Sequence, residues 1–337
     1  MNRVKVLCTL RFTETQLDKL RAVSPRLVVE QVTCRTDEEV AQALDETVEV
    51  LYSGRANFPL EAAPNLKWVQ LHSAGVDHVI GTPLWESDIP LTTTSGIHAT
   101  PIAEYVFASI LAFTCRVPRM LYYQKRHEWP RGRWNLFVGQ ELRGQTMGLV
   151  GYGSIGREVG RLARAFGMRV LATKRRAEER RDTDYELPAT GDREGRVPDA
   201  VFPPGQLKDM LAQSDFVVIA VPLTPETEKL IGEAELRVMK PNAYLVNVAR
   251  GPIVDEAALV RALRESWIAG AGLDVFEQEP LPPDSPLWDL DNVLLSPHVA
   301  GFTPYYDERA TDLFAENLRR YLAGEPLLNL VDKARGY

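Results

Sequence analysis

Arg250, Glu279 and His298 are residues of types that together suit one piece of chemistry. Each follows a short apolar run, in NVARGPIVDE, GLDVFEQEP and LLSPHVAG, and so falls where a strand is expected to end. Ligands of open α/β sheets bind outside the carboxyl ends of the strands, so residues far apart in sequence can meet in one site there. Reduction of a 2-keto acid needs a fixed cation to grip the carboxylate or polarise the carbonyl. It also needs an acid to protonate the alkoxide as hydride arrives. Arg250 and His298 fit those roles. Glu279 fits as partner of the imidazole, because a carboxylate hydrogen-bonded to the ring favours its charged form and fixes its orientation.

The hydride source has its own signature. Gly151, Gly153 and Gly156 in GYGSIG follow strand-like TMGLV and open a helical pattern, the context that makes a G-x-G-x-x-G informative. The first glycine permits a tight turn, the second lets backbone approach a pyrophosphate, and the third lets the helix press on its strand. An NAD site of this kind places Asp or Glu at the end of the next strand to bind the ribose 2′-hydroxyl. Here that strand, MRVLAT, runs into Lys174, Arg175 and Arg176. A carboxylate there would repel a 2′-phosphate, whereas Arg binds it with paired charge-assisted hydrogen bonds and Lys adds a point charge. NADP(H) is therefore expected ahead of NAD(H), with a solvated loop as the other reading of the three cations.

These residues must be carried by a framework, and the chain supplies a regular one. VKVLCTL, TQLDKLRAV, LVVEQVT, DEEVAQAL and VEVLYSG alternate short β-branched runs with amphipathic stretches, the rhythm of βαβ units and a parallel sheet. A long helical pattern, PIAEYVFASILAFTCRV, connects this part to an aromatic-rich irregular segment, HEWPRGRWNLFVGQELRG. A second α/β series starts at TMGLVGYG and runs to NVLLSPHV, and DERATDLFAENLRRYLAG is a closing helix expected to pack back on the first domain. Residues 177–205, rich in charge, Gly and Pro, read as a low-order excursion.

Composition narrows the class. The 337 residues are 45% hydrophobic and 25% charged, ordinary for a globular protein of two domains. A net charge of −7 argues against a sequence-independent nucleic-acid binder. No stretch reads as a signal peptide or a membrane span, so a cytoplasmic protein without a membrane partner is expected. Cys8, Cys34 and Cys115 are widely spaced, which favours neither a disulfide framework nor a metal cluster.

Taken together, VGYGSIGREVGRLARAFGM, AVPLTPETEKLIG, MKPNAYLVNVARGPIVDEAAL, AGAGLDVFEQEPLPPDSPLW and NVLLSPHVAGFT resemble the D-isomer-specific 2-hydroxyacid dehydrogenase family over essentially the whole chain, and within it the glyoxylate/hydroxypyruvate reductase branch. The resemblance implies two doubly wound parallel-sheet domains: a flavodoxin-like substrate domain from residues 1–98 plus 300–337 and a Rossmann NAD(P)-binding domain from 99–299, with the active site in the cleft between them. It implies reversible reduction of a small 2-keto acid to the D-2-hydroxy acid, with Arg250 binding substrate, His298 as acid/base and Glu279 as its partner. By the same carry-over Ser154 and Ile155 lie along the pyrophosphate, while Val221, Pro222 and Thr227 flank the adenosine. Val248, Ala249 and Asp274 hold the nicotinamide end, and Ser73, Ala74 and Gly75 hold the substrate carboxylate through backbone N–H groups. A homodimer through residues 100–143 is implied, which gives Trp129 and Trp134 a use as interface anchors. The family's formate dehydrogenases carry Gln where Glu279 stands, which sets them aside. Phosphonate oxidation, a phosphoglycerate substrate, or a dinucleotide-sensing corepressor of the same fold remain as alternatives.

Overall fold

The computed structural model describes residues 3–337. Strands β1–β5 (Val4–Cys8, Leu27–Gln31, Val48–Ser53, Trp68–Leu71, Leu91–Thr92) and β6–β12 (Thr146–Val150, Arg169–Thr173, Ala200–Phe202, Phe216–Ile219, Tyr244–Asn247, Gly270–Leu273, Val293–Leu295) form two sheets. Helices α1–α6 are Glu14–Arg21, Asp37–Ala43, Pro83–Glu86, Ala99–Thr114, Val117–Lys125 and Arg133–Leu136. Helices α7–α11 are Ser154–Ala165, Leu207–Leu211, Glu233–Val238, Glu256–Arg264 and Tyr306–Ala323. The chain divides into two compact units, Met1–Ile97 with Thr303–Tyr337, and His98–Phe302.

In the first unit the strand order is β2-β1-β3-β4-β5, all parallel, the flavodoxin-like arrangement. Parallel strands are covered on both faces, and β1, β3 and β4 are accordingly buried almost throughout. Helix α1 starts on a capping box in which Thr13 and Gln16 satisfy each other's backbone N–H groups. Helix α11 buries Phe314 and Leu318 among Val6, Tyr52 and Trp68. Its Asn317 reaches a buried polar knot, donating to Gln70 Oε1 at 3.2 Å, while Thr92 donates to the same oxygen and accepts from Trp68 Nε1, each at 2.8 Å. Buried polar groups persist only when bonded in this way.

The second unit orders its sheet β12-β11-β10-β9-β6-β7-β8, again all parallel, so the strand order reverses between β6 and β9. Both faces are covered. Helix α4 packs Ala103, Val106, Phe107 and Ile110 with Met147, Val159 and Ala163 on one side; Met210, Leu236, Leu259 and Leu263 fill the other. Among the described residues no single helix is long and apolar enough to cross a membrane.

Two features differ from the sequence reading. The low-order stretch at 177–205 contains β8 at its end, a three-residue edge strand too short to show a period. The single helical pattern over 101–117 is broken by the turn at Arg116 (φ 59°), after which α5 starts as a separate helix, and the irregular segment 127–144 contains the short helix α6.

Candidate active site

The glycines of the turn after β6 are each explained by what surrounds them. Gly151 has φ +100° and lies so close to strand β9's end that a Cβ would fall 2.7 Å from Ala220 O. At Gly156 a Cβ would fall 2.3 Å from Gly151 O, so only glycine lets α7 sit down on the turn. Gly153 is different: an added Cβ would meet no protein atom within 4 Å. The protein packs nothing there, which is the open approach a pyrophosphate requires. Helix α7 starts at Ser154 with no side-chain cap, leaving the first-turn N–H groups of Ser154 and Ile155 for an anion. A dinucleotide therefore fits this cradle. Thr173 at the end of β7 accepts from Gly151 N at 3.1 Å, tying the turn to the strand that precedes Lys174, Arg175 and Arg176. Of these, Lys174 donates its Nζ to Glu179 O, and Arg176 pairs with Glu179 at 2.9 Å.

Two further turns border the same sheet end. After β9, Val221 and Pro222 enter a turn that Thr227 closes by donating to Pro222 O at 2.6 Å and accepting from Thr224 N at 2.8 Å. After β10, buried Val248 and Ala249 lead to Arg250. Buried Asn247 shapes this turn from both sides, with its Oδ1 accepting from Ala249 N and its Nδ2 donating to Arg250 O. Arg250 is half-buried, with Nη1 donating to Ala249 O at 2.8 Å. At the next residue, Gly251, a Cβ would lie 1.9 Å from the Phe276 carbonyl. This glycine lets the Arg250 segment lie against the segment that carries Glu279.

His298 and Glu279 meet directly, with Nδ1 2.7 Å from Glu279 Oε2. The other carboxylate oxygen accepts from Phe276 N at 3.0 Å, so the carboxylate is itself held. The His298 side chain is 47% exposed, and with Nδ1 on the carboxylate its Nε2 is the nitrogen left for a reactant. The loop that carries it is organised by Asp274, which is 2% exposed. Asp274 accepts from Ser296 Oγ at 2.6 Å and from Val299 N and Ala300 N at 2.9 Å each, and its own carbonyl accepts from His298 N. Tyr105 on α4 meets Ser296 Oγ at 2.6 Å. Asp274 thus positions the histidine loop, a use that its sequence position alone does not suggest. In the first unit, the turn after β4 is braced by Ser73 Oγ donating to Gly75 O at 2.8 Å, with Ala74 exposed at its tip.

Residues 107–300 match the family model described as D-isomer specific 2-hydroxyacid dehydrogenase, NAD binding domain. The chain is 42% identical over 276 residues to a glyoxylate reductase of Thermofilum pendens, covering 81% of this chain and 77% of that one.

The chain belongs to the D-isomer specific 2-hydroxyacid dehydrogenase family.

This 2-hydroxyacid dehydrogenase is an oxidoreductase whose cofactor is a nicotinamide dinucleotide. A family member from Xanthobacter autotrophicus Py2, solved with NADPH and MES, superposes with a TM-score of 0.78 at 30% identity, covering all of both chains. The NADPH-dependent glyoxylate/hydroxypyruvate reductase of Sinorhizobium meliloti, solved with NADP and sulfate, gives 0.77 at 26% identity, over 99% of this chain and 100% of that one. Beyond the residues singled out in the sequence, Asn247 and Gly251 shape the turn that carries Arg250, and Ser296 and Tyr105 bond within the loop that carries His298. Asn247 and Gly251 stand inside NVARGPI, and their polar and small character beside a strand end was the available signal.

Proposed function

We propose that this dehydrogenase reduces a small 2-keto acid of the glyoxylate/hydroxypyruvate type to the D-2-hydroxy acid, with NADPH as hydride donor. The observation that carries the chemistry is the His298 Nδ1–Glu279 Oε2 contact of 2.7 Å, on a loop that Asp274 fixes at the carboxyl end of the cradle's sheet. Glu279 holds the proton on Nδ1, so a protonated His298 donates from Nε2 to the carbonyl oxygen as it gains charge, and reclaims that proton in the reverse direction. Arg250 offers a guanidinium for the substrate carboxylate or the polarised carbonyl, and the N–H groups of Ser73, Ala74 and Gly75 are read as further donors to the carboxylate. When bound, the reduced nicotinamide supplies the hydride to the carbonyl carbon.

Ser154 and Ile155 are assigned to the pyrophosphate, Val221, Pro222 and Thr227 to the adenosine, and Val248, Ala249 and Asp274 to the nicotinamide end. The NADPH preference rests on Lys174, Arg175 and Arg176 standing where an NAD site carries an acid. The Arg176–Glu179 pair is exposed, so exchanging Glu179 for a phosphate costs little. The glyoxylate reductase relatives and the NADPH complexes of the two structural relatives support the same reading. Initial rates with glyoxylate and hydroxypyruvate, with NADPH and NADH side by side, test it. Turnover with NADPH strongly preferred is expected, and replacing both Arg175 and Arg176 with Ala should raise KM for NADPH far more than for NADH. Equal effects on the two cofactors would remove the 2′-phosphate role and leave the reductase.

We also infer a homodimer through residues 100–143. Trp129 and Trp134 are 83% and 77% exposed, and Leu121, Tyr122 and Val138 on the same arm are exposed as well. Aromatic side chains gathered this way are favoured at interface cores.

A further inference from the structure

Residues 177–199, between β7 and β8, form neither helix nor strand, yet they are firmly held. The hold is Arg157, one turn into α7 and 1% exposed. Its guanidinium is spent on this excursion: Nη2 donates to Arg180 O at 2.7 Å, Nη1 donates to Asp192 O, and Nε lies 2.8 Å from Asp182 Oδ2, an ion pair whose N–H points out of line for a hydrogen bond. The ring of Tyr152, the second residue of the glycine turn, covers the guanidinium at 4.8 Å, and its hydroxyl donates to Asp192 Oδ2 at 2.7 Å. Glu158, 2% exposed, accepts from Gly191 N at 2.7 Å. Val197 presses on α7 where Gly160 lacks a Cβ, which would stand 3.3 Å from Val197 Cγ1. A buried charge is costly unless it is paired, and removing one partner strands the other.

The consequence falls on the three cations. Lys174 is fixed at one end by its N–H donating to Phe202 O of β8 at 3.1 Å, and its Nζ donates to Glu179 O. Six and eight residues on, Arg180 and Asp182 are gripped by Arg157. The turn that displays Arg175 and Arg176 is therefore a short bridge clamped at both ends. Cations on a clamped turn bind a phosphate without first losing backbone freedom, whereas cations on a loose loop lose it on binding.

We propose that Arg157 is a positioning residue for cofactor choice: by anchoring the excursion on the glycine-turn helix it holds Lys174, Arg175 and Arg176 where a phosphate on the adenosine ribose is recognised. This rests on the NADPH reading above. NADH carries no such phosphate, so the anchor matters to NADPH binding alone.

Two variants separate the anchor from charge and from folding. Arg157→Lys keeps the cation and loses the three-way grip; Asp192→Ala cuts the tie to Tyr152 from the excursion side and leaves α7 intact. Equilibrium binding of NADPH and NADH, read from nicotinamide fluorescence, is combined with tryptic digestion of the cofactor-free protein, whose excursion carries Arg180, Arg181, Arg193 and Arg196. Both variants are expected to weaken NADPH binding about tenfold or more, leave NADH within about twofold, and open the excursion to trypsin. Equal weakening of both dinucleotides, unchanged NADPH binding in an excursion that trypsin now cuts, or an excursion as resistant as the wild type would each overturn the proposal. The Arg175→Ala, Arg176→Ala double variant distinguishes the underlying reading: if it shifts NADPH selectively while the anchor variants do not, only the anchor fails; if it shifts neither cofactor, the 2′-phosphate reading fails as well.

Discussion

His298 owes its usefulness to the groups around it. Its φ of 54° lies in the left-handed region, and the loop keeps that conformation because Asp274 takes up the backbone and side-chain donors on either side. The ring is half exposed, so its removal should cost chemistry and hardly any stability. His298→Ala is expected to lower kcat by about 10² to 10⁴, with an unfolding midpoint close to that of the wild type. Glu279→Gln should lower kcat by less, since an amide oxygen at this position still accepts from Nδ1 and keeps the imidazole in place. Steady-state rates beside thermal unfolding check both. A His298→Ala protein with undiminished turnover would take this residue out of the mechanism. The three residues could be singled out because each follows a strand of an obvious series. The resemblance singled out Asp274, but its bonds to the histidine loop could not be read, because its bonding partners stand 22 to 26 residues downstream.

The glycine turn and α7 act as one element, and Gly153 and Gly156 make opposite demands within it. At Gly156 the obstacle to a methyl group is the carbonyl of Gly151, a backbone atom that cannot swing aside. Alanine's better helix propensity gains at most about 1 kcal/mol, against about 1–3 kcal/mol for forcing a methyl into a packed site. Gly156→Ala is therefore expected to destabilise the fold. At Gly153 the backbone, φ −89° and ψ −160°, suits any residue, and there is no neighbour to strike. Gly153→Ala should leave stability within about 0.5 kcal/mol and weaken dinucleotide binding by about tenfold or more, the 1.4 kcal/mol scale of a mild clash. Calorimetry with and without NADPH checks the contrast, and full-strength binding in Gly153→Ala would remove the pyrophosphate from this turn. The motif itself was plain in the sequence. The excursion's anchorage was hidden, because the helical spacing of Arg157, Arg161 and Arg164 does not separate a buried arginine from a solvated face. Only the return of residues 180–197 buries the first of them.

At the scale of the whole chain, the two parallel sheets were readable from alternating apolar runs and helix starts, since each run buries both faces of its strand. Strand β8 was not, having three residues and no period. The exposed arm predicts assembly: Trp129→Glu combined with Trp134→Glu should convert a dimer to a monomer by light scattering, and an unchanged mass would assign those rings elsewhere. Stability against pH should be set in part by His72 of the first unit. Its ring lies between Tyr52, 2.7 Å from Nδ1, and Tyr306, with Asp307 3.7 Å from Nε2. Burial lowers its pKa below the ordinary value, and Asp307 opposes this only in part. Burial holds the Tyr52 hydroxyl protonated, so it donates to Nδ1, an acceptor that only the neutral ring provides. The unfolded chain protonates His72 near the ordinary histidine pKa of about 6.5, while the folded chain resists. Stability is therefore full above that value, declines as pH falls through it, and levels off below the folded pKa. Asp45 and Glu316 are held down to about 2 by Thr47 with Lys5 and by Arg319 with Arg320, respectively. Their contribution is lost at lower pH, as it falls below the ordinary carboxylate range toward 2, and solvent screening keeps it small. Unfolding midpoints between pH 7.5 and 5 should fall in the wild type and fall less in His72→Gln, whose amide oxygen still accepts from Tyr52. Parallel curves for the two proteins would show that His72 titrates alike in the folded and unfolded chain.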